Sequence, residues 1–269
     1  MSVVVPASTT GGPRIVVLVK YVPDAEAGST FTDDRLVDRD GPGLLSELDE
    51  YPLGAARRLA DTHGGEVVAL AVGPAAAAHA VTRALQLGAD RGVLVSDDAL
   101  EGSDAHVTAR VLARAVRLLE PVDLVLAGAR SPDGGTSLVP SLLALDLGVP
   151  AHTFVLDVVL DEGSVRTVSP RDGRVLTTTS GVPAVVSVTD QAPAPQYPTF
   201  ADIRRARTRP TTVLRAADLG LRADEVGRQG SRTEVLAVTP RAAREPGSVV
   251  VDDGHAGERL ATFLLEHTR

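Results

Sequence analysis

Val122-Asp123-Leu124-Val125-Leu126-Ala127-Gly128-Ala129-Arg130-Ser131-Pro132-Asp133-Gly134-Gly135-Thr136-Ser137 is the stretch that decides how this chain folds. Residues 122–127 form an apolar run of the kind buried inside a sheet. Gly128 to Ser137 are small or turn-forming. Leu138 to Leu147 then reads as a helix. Strand, small-residue turn and helix start together make an anion site, because glycines let the backbone approach a ligand and the free N–H groups of a helix start point at negative charge. The spacing is neither a Walker loop nor GxGxxG, so a phosphate cradle and an ordinary strand-to-helix turn both fit it. Pro140 falls in the first helical turn, where its missing N–H costs the helix nothing but removes one donor from any anion.

Upstream the same alternation recurs. Ile15 to Val19 is a first strand. Asp24 to Asp49, with Gly28, Gly41, Pro42 and Gly43, is too long for a plain connection and predicts a small hairpin or a ligand-covering loop. Tyr51 to Thr62 reads as a helix closed by Gly64-Gly65. Glu66 to Val72 is a strand, Ala75 to Leu87 an alanine-rich helix, and Gly92 to Val95 a short strand. Ser103 is the expected cap of a helix running to Leu119, with apolar positions Val107, Val111, Leu112 and Ala115 at helical spacing. This βαβα order predicts an α/β fold with a mainly parallel sheet flanked by helices. Ligands of such sheets sit at the carboxyl ends of the strands, so the turns after Val19, Val72 and Ala127 should share one pocket. Lys20, the only lysine, falls at the first of these strand ends, where a cation would offset phosphate charge.

The pattern changes after Pro150. Thr153–Leu160 and Val165–Val168 flank Asp161-Glu162-Gly163, a hairpin signal, and Val175–Thr179 and Pro183–Val188 are further β-prone runs. Pro193, Pro195 and Pro198 stiffen an exposed segment that carries Tyr197 and leads to Phe200, which suits either an interaction site or a linker. Arg204, Arg205, Arg207 and Arg209 read as a solvated helix end. The chain after Leu214 shows little core of its own, with Glu234–Val238 a candidate strand and Arg259–His267 a short amphipathic helix. The expected organisation is a loose tail over 1–13, an α/β body over 14–190, a partner-recognition loop and basic segment over 191–213, and an extended arm over 214–269.

Composition narrows the function. Of 269 residues, 43% are hydrophobic but only 3% aromatic, so the core is built from Val, Leu and Ala. The formal net charge of −8 argues against general nucleic-acid binding. No apolar run approaches the roughly 18 residues of a membrane span. Residues 1–13 lack the basic and apolar regions of a secretory signal. The absence of cysteine excludes disulfides, thiolate metal sites and cysteine nucleophiles, and the six histidines show no ligand spacing, so no metal is expected. No nucleophile–base pair accompanies the phosphate turn, which points away from bond-making catalysis.

Taken in order, Val17-Leu18-Val19-Lys20-Tyr21-Val22-Pro23-Asp24, Val72-Gly73-Pro74, Ala84-Leu85-Gln86-Leu87-Gly88-Ala89-Asp90-Arg91-Gly92, Val182-Pro183-Ala184-Val185-Val186, and Pro195-Gln196-Tyr197 followed by Ile203-Arg204-Arg205-Ala206-Arg207 resemble the beta subunit of electron transfer flavoprotein over about residues 14 to 269. The resemblance implies a Rossmann-like, adenine-nucleotide-binding fold with a β-hairpin appendage. It implies a cytoplasmic electron carrier paired with a larger alpha subunit, which holds most of a redox FAD. Such a carrier would pass electrons from dehydrogenases to a membrane quinone oxidoreductase or another acceptor. The beta site would hold AMP or a second FAD. The family's nucleotide site falls here on Leu18, Ser46, Asp49, Val72, Gly128, Ala129, Arg130, Ser131, Asp133, Gly134, Gly135, Thr136, Ser137, Leu138 and Val139, to which the strand-end argument adds Lys20. Partner contacts fall on Ala192, Pro193, Pro195 and Tyr197. Ser96-Asp97-Asp98-Ala99, Gly102-Ser103-Asp104 and Asp133-Gly134-Gly135-Thr136 are similar to the Fix-like, electron-bifurcating branch and favour FAD over AMP. Leu138 stands where both branches place Gln, and Ala192 or Pro193 where a partner-anchoring Leu is expected. A nucleotide-binding regulatory module of similar α/β fold without flavin is the alternative.

Overall fold

The computed structural model describes residues 11–24, 30–39, 41–239, 247 and 249–267. Most of the expected tail over 1–13, and Gly28 in the first long loop, lie outside the described residues. The chain divides into two compact units, Met1–Leu236 and Ala237–Arg269.

In chain order the first unit contains β1 (Arg14–Leu18), β2 (Tyr21–Pro23), β3 (Gly43–Leu45), α1 (Glu47–His63), β4 (Glu66–Val72), α2 (Ala78–Gln86), β5 (Arg91–Val95), α3 (Ala105–Leu118), β6 (Leu124–Gly128) and α4 (Val139–Leu147). It continues with β7 (Ala151–Val155), β8 (Asp157–Asp161), β9 (Ser164–Arg171), β10 (Arg174–Gly181), β11 (Ala184–Val188), α5 (Phe200–Ala206), β12 (Thr211–Leu214) and α6 (Gly227–Gly230). The second unit holds α7 (Ala256–His267), whose Leu260, Phe263, Leu264 and Leu265 are exposed.

Seven strands form one sheet in the order β12-β5-β4-β1-β6-β11-β7, with every neighbouring pair parallel. A sheet covered on both faces needs strands apolar on both sides, hence the unbroken valine and leucine runs. Ile15 and Val17 of β1 pack toward α1 and α2, while Val16 and Leu18 pack toward α3 and α4. The expected hairpin is the β8–β9 turn, extended by β10 into a three-stranded antiparallel sheet. Its Val158 and Val165 join the α1-side core. His152 of β7 bridges the two sheets: its Nδ1 lies 2.8 Å from Thr167 Oγ1 and its Nε2 2.8 Å from Ser180 Oγ. Burial holds this imidazole below its ordinary pKa.

Four expectations are corrected. The helix expected from Tyr51 starts at Glu47. Pro52 resembles a first-turn proline, but the acidic Glu47, Asp49 and Glu50 already suit the positive end of the helix dipole. The cap of α3 is Asp104, whose Oδ1 accepts the Val107 N–H at 2.9 Å, while Ser103 Oγ donates to the Leu100 carbonyl at 2.6 Å. The chain after Leu214 is not thin in core: β12 is the edge strand beside β5, and Ala216, Leu219, Leu221 and Val226 are buried against the α3 side. Residues 234–238 form no strand. Asp104 Oδ2 fastens this segment by accepting from the N–H groups of Arg232 and Thr233 at 2.8 and 3.0 Å.

At the opposite end of the sheet from the carboxyl termini, Glu66 sits between two buried arginines. It contacts Arg14 Nε at 2.9 Å and Arg91 Nε at 3.1 Å. Removing the charge of Glu66 leaves two buried guanidinium groups facing each other. Glu66→Gln should therefore cost about 3 kcal/mol of stability, read by urea unfolding.

Candidate functional site

β1 and β6 are neighbours in the sheet, so their carboxyl ends open on the same side, where the first turn of α1 also arrives. Asp49, on that turn, is 6% exposed. Its Oδ2 accepts the backbone N–H of Lys20 at 2.8 Å. Gly128 closes the contact from the β6 side: a Cβ there would lie 2.5 Å from Asp49 Oδ1 and 2.9 Å from the Leu48 carbonyl oxygen. Pro52 explains the free approach at Leu48, because proline lacks the N–H that would bond this carbonyl in a regular helix. Burial raises the Asp49 pKa to about 7, against the lowering effects of the Lys20 N–H, the Lys20 charge and the Gly128 backbone.

The Lys20 ammonium reaches the turn after β6. It lies 2.7 Å from Asp133 Oδ1 and 3.2 Å from Ser131 Oγ. Arg39, from the loop before β3, pairs with the other oxygen of the same carboxylate. Burial opposes the charge on Asp133, but Lys20, Ser131 and Arg39 outweigh it and hold the carboxyl below its ordinary pKa. Asp133 also closes the turn, accepting the Gly134 N–H at 2.7 Å. The loop between Thr30 and Asp38 is a tight hairpin: Phe31 bridges Val37, and the Asp38 N–H donates to the Thr30 carbonyl at 2.9 Å. Within the long connection residues 30–38 thus form a hairpin, and Arg39 just beyond it brings a cation to Asp133.

Gly134 to Leu138 is the segment where the sequence places the anion turn. Gly135 has φ 59° and Ser137 φ 55°, both left-handed. The second is a conformation that costs a side-chain-bearing residue about 1 kcal/mol. Among the described residues, nothing accepts a hydrogen bond from the N–H groups of Thr136, Ser137 or Leu138. Three unpaired donors therefore follow one another just ahead of α4, and Pro140 is its second residue. Ser46, immediately before α1, is fully buried with its Oγ unpartnered. Unpaired N–H groups, hydroxyls on Thr136 and Ser137, and nearby cations are the donor set a phosphate needs.

The structure brings Lys20, Ser46, Asp49, Gly128, Ala129, Ser131, Asp133 and Gly134 together, with Gly135 to Val139 continuing from them. Leu18 and Val72 stand at neighbouring strand ends, but their side chains pack into the α3-side core, so they offer backbone only. Arg130 is exposed. In the proline segment, Ala192 is buried in the core, whereas Tyr197 is 87% exposed. Pro195 seats on α1, where a Cβ on Gly54 would lie 3.0 Å from its Cα. Arg39 is the site residue that sequence reading missed. It meets Asp133 across 94 positions, and no local spacing marks it.

Residues 34–219 match the electron transfer flavoprotein domain. The electron transfer flavoprotein subunit beta of Mycobacterium tuberculosis is 36% identical over 259 residues, covering 94% of this chain and 97% of the relative. The chain belongs to the electron transfer flavoprotein beta-subunit family. Two further relatives carry other names. Protein FixA of Azorhizobium caulinodans is 31% identical, covering 89% of this chain and 88% of the relative. The caffeyl-CoA reductase-Etf complex subunit CarD of Acetobacterium woodii is 30% identical, with 88% and 91% covered. No helix among the described residues is long and apolar enough to cross a membrane.

Asp49 gives the site a pH signature. Folded Asp49 keeps its proton up to about pH 7, whereas the unfolded chain releases it in the ordinary carboxylate range. Between those limits the folded state binds the extra proton, so stability falls as pH rises and levels off above about pH 7. Asp49→Asn should remove that decline. Urea midpoints of both proteins across this pH window should converge at the acid end and separate toward pH 8, with the variant the more stable.

Proposed function

We propose that this chain is the beta subunit of a heterodimeric electron carrier and binds one adenine nucleotide, FAD or AMP, with its phosphates over Gly134, Gly135, Thr136 and Ser137. The observation that carries this reading is the set of unpaired N–H groups at Thr136, Ser137 and Leu138, set beside Lys20 at a strand end. Family membership supports the carrier role. The turn supports the phosphate position, and the Asp-Gly-Gly-Thr sequence at 133–136 favours FAD. A larger alpha subunit would hold most of the redox FAD, which supplies electron uptake and release when bound.

The residues of this chain then bind and orient. Thr136 and Ser137 donate hydroxyl and backbone hydrogen bonds to phosphate. Lys20 offsets the charge, with its backbone fixed by Asp49. Asp133 stays off the phosphate, because like charges repel, and instead holds the cation. The chain makes and breaks no bonds itself; it serves dehydrogenases on one side and a quinone reductase or similar acceptor on the other.

The partner surface supports the same role. Pro193, Pro195 and Pro198 stiffen a loop that ends in a complete capping box, Thr199 with Asp202, before α5. Tyr197 and Phe200 project from it, 87% and 80% exposed. Rigid aromatics on a preorganised loop lose little entropy on docking. In the second unit, the exposed Leu260, Phe263 and Leu264 of α7 form an apolar stripe suited to the alpha subunit.

Two experiments test this function. A Cβ at Gly135 meets nothing within 4 Å, so Gly135→Glu fits sterically and bears only the left-handed backbone strain that Gly135→Ala shares. Calorimetric titration with FAD and AMP should show binding largely kept by the alanine variant and lost, by at least about tenfold, in the glutamate variant. Unchanged binding in folded Gly135→Glu would remove the phosphate assignment. Separately, Tyr197→Ala should weaken docking of the partner dehydrogenase by about 2 kcal/mol while nucleotide binding stays constant. Equal affinities by surface plasmon resonance would count against the loop as a docking element.

A further inference from the structure

We propose that nucleotide binding at residues 134–138 takes up a proton, and that Asp49 is the group that receives it. The inference rests on the nucleotide site read above and adds how that site answers to pH.

The geometry begins with where Asp49 spends its carboxyl. It is the third residue of α1, with Ser46 at the cap. A carboxyl at that position can reach back to the N–H of the capping residue. Here the Ser46 N–H donates to the Lys20 carbonyl at 2.9 Å instead, and the Ser46 hydroxyl is unpartnered. Asp49 turns across the junction and bonds the two segments that make the site. Its Oδ2 accepts the Lys20 N–H at 2.8 Å, and the Gly128 backbone adds a second bond. Lys20 carries the ammonium that meets Asp133, and Gly128 ends β6 where the turn begins. The carboxyl is thus sealed behind the site, bonded to its two roots.

Among the described residues, the charged groups that bear on Asp49 are Lys20, at the exit of β1, and Asp133, on the turn after β6. Arg39, from the loop before β3, pairs with Asp133. On α1 itself Glu47 and Glu50 flank Asp49, and Glu50 meets Arg83 of α2 at 3.3 Å. Of the strands packed on α1, β6 and β11 carry no ionisable side chain, β1 and β4 carry Arg14 and Glu66 at the far end of the sheet, and Asp157 and Asp161 of β8 are exposed.

Burial raises the proton affinity of Asp49 most. The Lys20 N–H, the Lys20 charge and the Gly128 backbone lower it, and the charge of Asp133 raises it again, to a balance at about pH 7. Asp49 therefore feels negative charge placed on the turn. A nucleotide phosphate brings more of it there. The phosphate also engages the Lys20 ammonium, whose charge otherwise favours the carboxylate. Both effects favour the protonated carboxyl, so a proton passes from solvent to Asp49 as the phosphate arrives and leaves with it. Nucleotide affinity is then greatest below about pH 7. It falls as pH rises through that value and levels off above the higher value that Asp49 takes in the complex.

The test is calorimetric titration of the full chain, freed of nucleotide, with FAD between about pH 6 and about pH 9, in buffers of different ionisation enthalpy, which counts the protons exchanged. FAD is the probe because its pyrophosphate keeps a constant charge across this range, whereas the phosphate of AMP titrates near about pH 6. One further charge at about 10 Å shifts a carboxyl by about one pKa unit, so uptake should peak at about half a proton just above neutrality, and affinity should fall about tenfold across the range. Asp49→Asn should exchange no proton and bind at every pH with an affinity near the acid-side value of the parent. If AMP alone binds, parent and variant are compared with it, since the titration of the ligand is common to both. No uptake by the parent, or uptake that persists in Asp49→Asn, overturns the inference, and the parent measurement stands even if the variant does not fold. Gly135→Glu, titrated in parallel, separates this claim from the site. Binding that exchanges no proton and is lost in Gly135→Glu keeps the site and overturns the role of Asp49, whereas no binding of either nucleotide, or binding unchanged in Gly135→Glu, overturns both.

Discussion

A buried carboxylate holds the mouth of this fold together. Asp49 sits where β1 ends, α1 begins and β6 turns outward, and it touches all three through the Lys20 N–H and the Gly128 backbone. A group buried in that place is costly unless bonded, and the backbone donors supply the bonding. The cost still shows in a proton affinity near neutrality. The arrangement tolerates no side chain at Gly128, since a Cβ would press on Asp49 and on the Leu48 carbonyl together. The start of α1, the exit of β1 and the first residue of the turn are thus one interlocked contact, and Lys20 is aimed at the turn as a consequence.

Legibility from sequence followed the range of the interaction. The strands of the parallel sheet were plain because burial on both faces forces long apolar runs, and the β6–α4 turn was plain because small residues cluster there. Terms that compete locally were read less well. The start of α1 was read four residues late, at Tyr51, and Ser103 was read as a cap although its hydroxyl donates backward to Leu100 and leaves the role to Asp104. The edge strand β12 was missed because Thr211-Thr212-Val213-Leu214 is short and only Leu214 is buried in it, and the strand acquires meaning solely by pairing with β5. In the site, Lys20 and the turn after β6 could be read from strand-end logic, whereas Asp49, on a helix, came only with the family resemblance. Arg39 could be read from neither, because nothing links it to Asp133 except the folded loop.

The charge pattern of the site runs against that of the whole molecule. A net charge of −8 disfavours general polyanions, while Lys20 and Arg39 put two cations together beside the turn after β6. Lys20 and Arg39 share a carboxylate, so neither depends on a ligand to be held in position. Prearranged charge of this kind spares a bound phosphate the cost of ordering long flexible side chains, which is the principal loss when lysine and arginine bind from solution. Asp133, although itself an anion, thus fixes both cations beside the turn.

The same economy of motion appears on the proline loop. Ala192 anchors its start in the core, Pro195 rests on α1, and the Thr199–Asp202 box fixes its end, so Tyr197 and Phe200 are displayed from a nearly rigid frame. Because α1 also carries Asp49, one helix bears both the loop and the carboxyl group behind the turn after β6. An electron carrier needs its cofactor at a reproducible distance from whatever docks, since donor and acceptor must be held in fixed relation during transfer. Pro195 meets α1 at Gly54, about one and a half turns from Asp49, so the proline loop and the strand-end turn are packed against the same stretch of one helix.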